Sequence, residues 1–142
     1  MTIAAVLRSK GSEVETINAH ATVADAVSRL GAKRIGALPV VEGDEVVGIM
    51  SERDVIYCLR TDGAQILDWP VSRVMTSPAV TVTSEMSVLE AMAQITRRRI
   101  RHLPVVEDGR LIGLVSIGDL VKHRMDRIQE EAEAMRAYIT QA

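Results

Sequence analysis

The sequence predicts a mixed α/β (α+β) fold built from two copies of one β-α-β-β-α unit and followed by a long C-terminal helix. Two observations support this prediction. First, residues 38–42 recur as residues 103–107, and the match continues without a gap from residue 16 to residue 57 at an offset of 65. Second, the apolar spacing within each copy alternates between strand and helix periods. Because about 50 residues bury too little surface alone, we expect the copies to pack together about a pseudo-two-fold axis.

Each copy starts with a short β-branched stretch that predicts a strand, at residues 16–17 and 81–82. A helix-start signal follows, with Thr22-x-x-Asp25 in the first copy and a Ser87-x-x-Glu90 capping box in the second. Apolar residues then recur at i, i+3, i+4 and i+7, which predicts an amphipathic helix. These stripes are Val23, Ala26, Val27 and Leu30, matched by Val88, Ala91, Met92 and Ile95.

Two aliphatic runs joined by a turn predict a β-hairpin in each copy. The turns fall at residues 42–45 and 108–109, and the second is an Asp-Gly pair, a strong hairpin signal. Pro39 and Pro104 are expected at strand starts, where a missing N–H does least harm. The copies are preceded by similar segments, residues 3–7 and 71–75, each predicted to form a single helical turn.

These patterns predict the domain organisation of the chain. Turn signals at residues 62–63 and 69–70 mark the connection between the copies. The predicted segments are a first repeat with the N-terminal segment at 1–60, a linker at 61–70, a second repeat at 71–125 and a helical extension at 126–142.

The helical pattern after Asp119 continues much further than the equivalent pattern after Asp54. Its apolar residues are separated by 4, 3, 4, 3 and 4 positions, the spacing of a coiled coil. The helix either folds back on its own domain or pairs with a second copy of the chain. We favour a homodimer, because such a helix outruns the surface of a small domain. The stripe consists of Val121, Met125, Ile128, Ala132, Met135 and Ile139.

Composition argues against several classes of function. The net charge of -2 and the absence of Phe disfavour nucleic-acid binding. The exception is the basic run at residues 97–101; if it binds RNA or DNA, the affinity should depend steeply on salt. No apolar run approaches the roughly 18 residues of a membrane span, and no leader pattern is present, so we expect no membrane association and a cytoplasmic protein. Cys58, the only cysteine, is interpreted as a small helix hydrophobe.

No catalytic or metal-binding cluster is evident from the sequence, so we expect no enzyme activity and no metal site. His20 lies in a predicted loop, His123 on the terminal helix and His102 among arginines. None of them has the neighbours that nucleophilic catalysis or zinc binding would need.

The Ser-x-x-Asp sequence that opens the last helix of each copy has two interpretations. In the structural one, Ser51 caps the helix and Asp54 satisfies its free N–H groups. In the functional one, the carboxylate accepts hydrogen bonds from ribose hydroxyls, and the helix N-terminus attracts an anion. The repetition of the motif favours the functional interpretation. So do Gly48 and Gly113, which allow close approach to the preceding strand.

The doubled Leu-Pro-Val-Val sequence, hairpin and Gly-x-x-Ser-x-x-Asp motif resemble a tandem pair of CBS domains, regulatory modules first named from cystathionine β-synthase. The resemblance covers roughly residues 1–125 and extends to small bacterial proteins made only of a CBS pair. It implies a pseudo-symmetric disc in which the sheets of the two repeats meet, and dimers of such discs. It also implies two clefts for adenosine ligands such as AMP, ADP, ATP, NAD(H) or S-adenosylmethionine, which act as regulatory ligands.

The resemblance also implies roles for individual residues. The family's aspartate contacts ribose, and its serine or threonine contacts ribose or phosphate; Arg101 and His102 stand where related pairs place phosphate-binding cations. Because the first copy has no such pair, the two clefts are expected to be unequal. The complete predicted ligand-binding set is Thr16, Ile17, Ala37, Pro39, Met50, Ser51, Arg53, Asp54, Thr81, Val82, Arg101, His102, Pro104, Val115, Ser116 and Asp119.

The function predicted from these residues and this resemblance is a non-catalytic sensor of adenosine nucleotides, with AMP as the first choice and ATP, ADP or NAD(H) as other ligands. The alternative is a ligand-free scaffold that docks an effector protein through the dimer or the C-terminal helix.

Overall fold

The computed structural model describes residues 1–141 and has the predicted mixed α/β architecture. The first half contains α1 (Ile3–Lys10), β1 (Ile17–Asn18), α2 (Val23–Lys33), β2 (Ala37–Glu42), β3 (Glu45–Ser51) and α3 (Glu52–Asp62). A 3₁₀ helix (Gly63–Asp68) leads to the second half. That half contains α4 (Val71–Val74), α5 (Val88–Arg98), β4 (His102–Glu107), β5 (Arg110–Ser116) and α6 (Ile117–Gln141).

The strands form two separate sheets. In the first, β1 pairs parallel to β2, and β2 pairs antiparallel to β3. The second contains only the β4–β5 hairpin. The strand predicted at residues 81–82 is therefore wrong in length, because Val82 makes only an isolated parallel bridge to Val105. Its two hydrogen bonds, to Pro104 and Val106, still place it beside β4 as Ile17 lies beside β2.

The helix caps follow the sequence signals with one exception. The Thr22 hydroxyl accepts a hydrogen bond from the Asp25 N–H, and the Ser87 hydroxyl accepts one from the Glu90 N–H. The return bond that would complete a capping box at Ser87 is not formed within the described chain, so that part of the prediction is wrong. A complete capping box occurs instead at Ser51, where α3 begins.

Both hairpins form as predicted. Asp108 and Gly109 both have positive φ, 50° and 77°, the conformation that favours Asp-Gly in two-residue hairpin loops. The prolines differ from expectation, because Pro39 and Pro104 are each the third residue of a strand rather than its first.

Each short helical segment that precedes one repeat packs into the core of the other repeat. α4 is the predicted single turn, but α1 extends to Lys10 and forms two turns, longer than predicted. The apolar residues of α4 lie in the core of the first repeat, and those of α1 lie in the core of the second. The predicted segment 1–60 thus groups α1 with the first repeat, although α1 packs in the core of the second. This exchange ties the two repeats together.

Strands β3 and β5 contact each other where the repeats meet. On their surfaces Gly48 leaves room for Met75, which follows α4, and Gly113 leaves room for Leu7 of α1. The close approach that these glycines allow is therefore made by the protein itself.

Helix α6 is continuous over 25 residues and does not fold back on the repeats. Leu120 is fully buried, whereas Met125 is 64% exposed and Ile139 also 64% exposed. The predicted apolar stripe therefore faces outward along most of its length. No helix within residues 1–141 is both long and apolar enough to cross a membrane.

Candidate functional site

A cleft that opens to solvent lies between the two repeats; together with the solvent at its mouth it encloses about 740 Å³ of empty space. Its walls are the start of α3, the segment between α4 and α5, and the entry to β4. The residues that line it are Gly36, Ile49, Ser51, Glu52, Arg53, Asp54, Thr76, Pro78, Val80, Ile100, Arg101 and His102. We call this the first cleft. Five of the sixteen predicted ligand-binding residues meet here: Ser51, Arg53, Asp54, Arg101 and His102.

The Ser51-x-x-Asp54 motif forms a complete helix cap inside this cleft. Asp54 Oδ2 accepts from the Ser51 N–H at 2.8 Å, and the Ser51 hydroxyl accepts from the Asp54 N–H at 3.2 Å. The other carboxylate oxygen, Oδ1, accepts a hydrogen bond from the Thr76 hydroxyl at 2.9 Å. One oxygen thus serves the helix, while the other meets only a neutral hydroxyl in the cleft. The structural and functional interpretations of the motif are therefore compatible.

The cations of the first cleft come from both repeats. Arg53 stands at the start of α3 and reaches across to the second repeat, where its Nη1 donates to the carbonyl of Arg99 at 3.2 Å. Arg101 and His102 lie on the opposite wall, at the entry to β4. Three basic side chains therefore surround a space that also contains the carboxylates of Glu52 and Asp54. Such a site suits a ligand with an anionic group and neighbouring hydroxyls.

His102 packs over Gly36, where an added Cβ would stand only 3.1 Å from the imidazole Cε1. Burial, together with the positive charges of Lys10 and Arg101, lowers the pKa of His102, against the opposing effect of Glu52 and Asp119. The imidazole is therefore neutral at neutral pH. A neutral ring can donate one hydrogen bond to a ligand and accept another.

The other copy of the motif lies beside a hollow between α1 and α6, which we call the second cleft. Its lining residues are Val6, Ser9, Lys10, Asp119, Lys122 and His123. The Ser116 N–H donates to Asp119 Oδ2 at 2.9 Å, and the Asp119 N–H donates to the Ser116 hydroxyl at 3.1 Å, as in the first copy. Here, however, the ammonium of Lys10 contacts the same Asp119 oxygen at 2.6 Å. Although burial acts to raise it, hydrogen bonds from Lys10 and Ser116 hold the pKa of Asp119 below its usual value.

The remaining predicted residues lie away from the lining of the first cleft. Thr16 is half-buried and Thr81 exposed, and the rest are buried within the repeats. The side chains of Met50 and Val115 are fully inaccessible, so a ligand would reach them only after a rearrangement. Their contacts with a ligand stay predictions. The buried members are Ile17, Ala37, Pro39, Met50, Val82, Pro104 and Val115.

Sequence reasoning missed the segment between α4 and α5 as part of the site. Thr76, Pro78 and Val80 line the first cleft although they belong to neither copy of the motif. The turn signal of Ser77-Pro78 was the only local hint of a loop there. Sequence reasoning also missed Lys10, which lies beyond the helical turn predicted at residues 3–7 and is the last residue of α1.

The surroundings of Cys58 are those of an unreactive thiol. Partial burial, with the negative charges of Asp54 and Asp62, raises the pKa of the Cys58 thiol, so it stays protonated and unreactive. Its side chain packs against the core of the first repeat, as the hydrophobe interpretation expects. Within the described part of the chain, no three His, Cys, Asp or Glu side chains are grouped so that they could hold a metal ion.

Comparisons with known proteins support this architecture. The chain is 37% identical to the mitochondrial CBS domain-containing protein CBSX3 of Arabidopsis thaliana, over 97% of this chain and 71% of CBSX3. The crystal structure of the CBS-domain containing protein ATU1752 from Agrobacterium tumefaciens superimposes with a TM-score of 0.83 at 37% identity, over 87% of this chain and 92% of that one.

A solved structure of CBSX2 in complex with AMP shares the fold, with a TM-score of 0.71 at 24% identity, over 82% of this chain and 90% of that one. The model of the CBS domain matches the sequence twice, at residues 7–61 and 71–126, and these matches coincide with the two repeats. The chain therefore belongs to the CBS domain family and contains a tandem pair of these domains.

Proposed function

We propose that this protein is a non-catalytic regulatory module that binds an adenosine nucleotide, AMP in the first place, in the first cleft. The observation that carries the proposal is Asp54 Oδ1, which faces the cleft and has, among residues 1–141, only the Thr76 hydroxyl as its partner. That oxygen would accept hydrogen bonds from ribose hydroxyls, and each charge-assisted bond is worth about 1.5–3 kcal/mol. Asp54 would thus give the cleft its preference for a ribose.

The phosphate of the nucleotide would lie between Arg53, Arg101 and His102. These residues provide two permanent cations and one imidazole on facing walls of the cleft. Arg53 is already held by its bond to the Arg99 carbonyl, so its side chain would lose less conformational freedom on binding a phosphate than an unrestrained arginine. The apolar side chains of Ile49, Val80 and Ile100 would pack against the adenine ring.

The choice of AMP rests on the two permanent cations and one imidazole of the cleft. It also rests on the CBSX2 complex with AMP, which is a likeness of fold alone. ADP, ATP, NAD(H) and S-adenosylmethionine are the ligands to compare with it. A cytoplasmic location and an unidentified effector protein as the reader of the bound state also belong to this proposal.

Isothermal titration calorimetry with AMP tests the proposal. We expect binding to the wild type and a loss of at least about tenfold in affinity for Asp54→Ala, which removes the ribose acceptor. Asp126→Ala is the matched control, because that carboxylate is exposed on α6 and pairs only with Lys122. Ligand at about 100 times its Kd should also add about 2.7 kcal/mol of stability. No thermal shift with any of the five ligands would refute the proposal and favour the scaffold alternative.

We further propose that α6 pairs with α6 of a second copy as a parallel coiled coil. The exposed stripe has coiled-coil spacing and places Glu131 and Arg136 at flanking positions five residues apart. In a parallel pair these positions face each other across the seam, so Glu131 of each copy would contact Arg136 of the other copy. A full antiparallel overlap would instead bring the two Glu131 side chains together. The charges therefore favour the parallel orientation.

Disulfide trapping tests this pairing. A Met135→Cys variant, made in a Cys58→Ser background, should form an intermolecular disulfide on mild oxidation, because Met135 would lie opposite itself in a parallel pair. Glu130→Cys is the control, since that position faces away from the seam. A monomer by light scattering at all concentrations, or equal cross-linking of both variants, would contradict the pairing.

A further inference from the structure

The two clefts of this protein differ in the donor that hydrogen-bonds a strand carbonyl and the aspartate of the Ser-x-x-Asp motif. In the first cleft the Ile49 carbonyl accepts from the Thr76 N–H at 2.9 Å, and Asp54 Oδ1 accepts from the Thr76 hydroxyl at 2.9 Å. The matching groups at the second cleft are the Leu114 carbonyl and the Asp119 carboxylate, whose engaged oxygen is Oδ2, the one that also accepts from the Ser116 N–H. Both accept from a single group, the Lys10 ammonium, at 2.6 Å each. One neutral residue in the first cleft is thus replaced by a cation in the second.

The position of Lys10 follows from how α1 packs. Ile3, Val6 and Leu7 are buried in the core of the second repeat, so they anchor the helix that ends at Lys10. Gly11 follows with a positive φ of 100°, which stops the helix there and turns the chain away. The ammonium therefore reaches the cleft from a fixed helix end rather than from a free loop.

The Lys10 contact changes what the second cleft can bind. Lys10 is 35% exposed and Asp119 26% exposed, so the pair is partly removed from water and less screened than a surface pair. A ribose hydroxyl that approached Asp119 would have to share the carboxylate with a charged donor, which holds its Oδ2. At Asp54 it would displace only the Thr76 hydroxyl. A charged donor is the stronger competitor.

We infer that Lys10 closes the second cleft to nucleotides and so limits the chain to one ligand, held in the first cleft. This inference rests on the proposed function and extends it, because it names the residue that makes the two clefts unequal. Lys10 is in this sense a specificity-determining residue whose side chain takes the place of the ribose.

The stoichiometry of AMP binding tests the inference. Calorimetry should give one AMP per wild-type chain and two per Lys10→Met chain, because methionine keeps the length of the side chain and removes its charge. Adding Asp119→Ala to Lys10→Met should return the value to one. Lys33→Met is the matched control and should leave it at one, since Lys33 pairs with Glu15 at 3.5 Å on α2, away from both clefts. Lys10→Gln is a polar second variant if methionine impairs folding.

A carboxyl NMR signal provides an independent measurement on the wild type. Addition of AMP should shift the Asp54 carboxyl signal and leave that of Asp119 in place. One AMP per chain in both the wild type and the two Lys10 variants would overturn the inference while leaving the proposed function intact. Two AMP per wild-type chain, or a shift of the Asp119 signal alone, would overturn it as well. No AMP binding by any variant would overturn both proposals.

Discussion

Met75 packs its side chain against the bare Cα of Gly48 at the junction of the two repeats. A Cβ added at Gly48 would stand 2.7 Å from the Met75 sulfur and 2.8 Å from the Thr76 carbonyl oxygen. The equivalent pair in the other repeat is Gly113 and Leu7, with a closest distance of 2.6 Å to Leu7 Cδ2. The two contacts are alike, but a backbone atom is among the three nearest neighbours at Gly48, whereas the three nearest at Gly113 all belong to the Leu7 side chain.

This difference predicts unequal costs for the two glycine substitutions. Gly48→Ala should destabilise the protein by about 1–3 kcal/mol, because the Thr76 carbonyl cannot move aside as a side chain can. Gly113→Ala should cost less, since the end of Leu7 can change rotamer. Urea denaturation of both variants gives the comparison. Equal costs, or a larger one for Gly113→Ala, would contradict this explanation.

Arg34 ends α2 in the left-handed conformation, with a φ of 52°. A residue with a Cβ pays about 1–2 kcal/mol for that conformation, and glycine avoids it at the expense of a more flexible unfolded chain. We therefore expect Arg34→Gly to stabilise the protein by about 0.5–1 kcal/mol in thermal or urea unfolding. Lys33→Gly, one residue earlier and helical, should destabilise it. Loss of stability in Arg34→Gly would show that the arginine side chain has a role beyond its backbone conformation.

The lowered pKa of Asp119 predicts a pH dependence of stability. Because the folded state lowers this pKa, the stability contributed by the carboxylate is present above the ordinary pKa of aspartate and is lost as the pH falls through the folded value. The free energy of unfolding of the wild type should exceed that of Asp119→Asn at about pH 6, and the difference should shrink towards about pH 3. A difference that stays constant across this range would show that the carboxylate charge does not contribute.

His102 should respond to ligand through its lowered pKa. Since the folded state disfavours its charged form, the stability linked to the neutral ring is present above the unfolded pKa and declines as the pH falls towards the folded one. A phosphate between Arg101 and His102 would favour the cation, so AMP should raise the His102 pKa in an NMR titration. Adenosine, which lacks the phosphate, is the control and should raise it much less. An unchanged pKa with AMP would place the phosphate elsewhere.

Local patterns predicted most secondary structure because they encode contacts between near neighbours. The Ser51-to-Asp54 cap and the Asp108-Gly109 turn depend on hydrogen bonds and φ angles within four residues. The same reasoning overestimated the strand at residues 81–82, where a strand needs a partner of sufficient length and the second sheet provides only one bridge. It also missed the second turn of α1, which packing against the second repeat stabilises.

Residue order alone predicts the duplication, the helices and hairpins of each copy, the polar motif at each helix start and the apolar stripe of α6. The tertiary structure adds which of these parts meet and that the stripe of α6 faces outward. It placed Arg101 of the second repeat beside Asp54 of the first, and Lys10 against Asp119. Comparison of the sequence with itself shows only that the two copies are similar. The clefts form where segments far apart in the chain pack together and bury apolar surface, and the local sequence does not encode that packing.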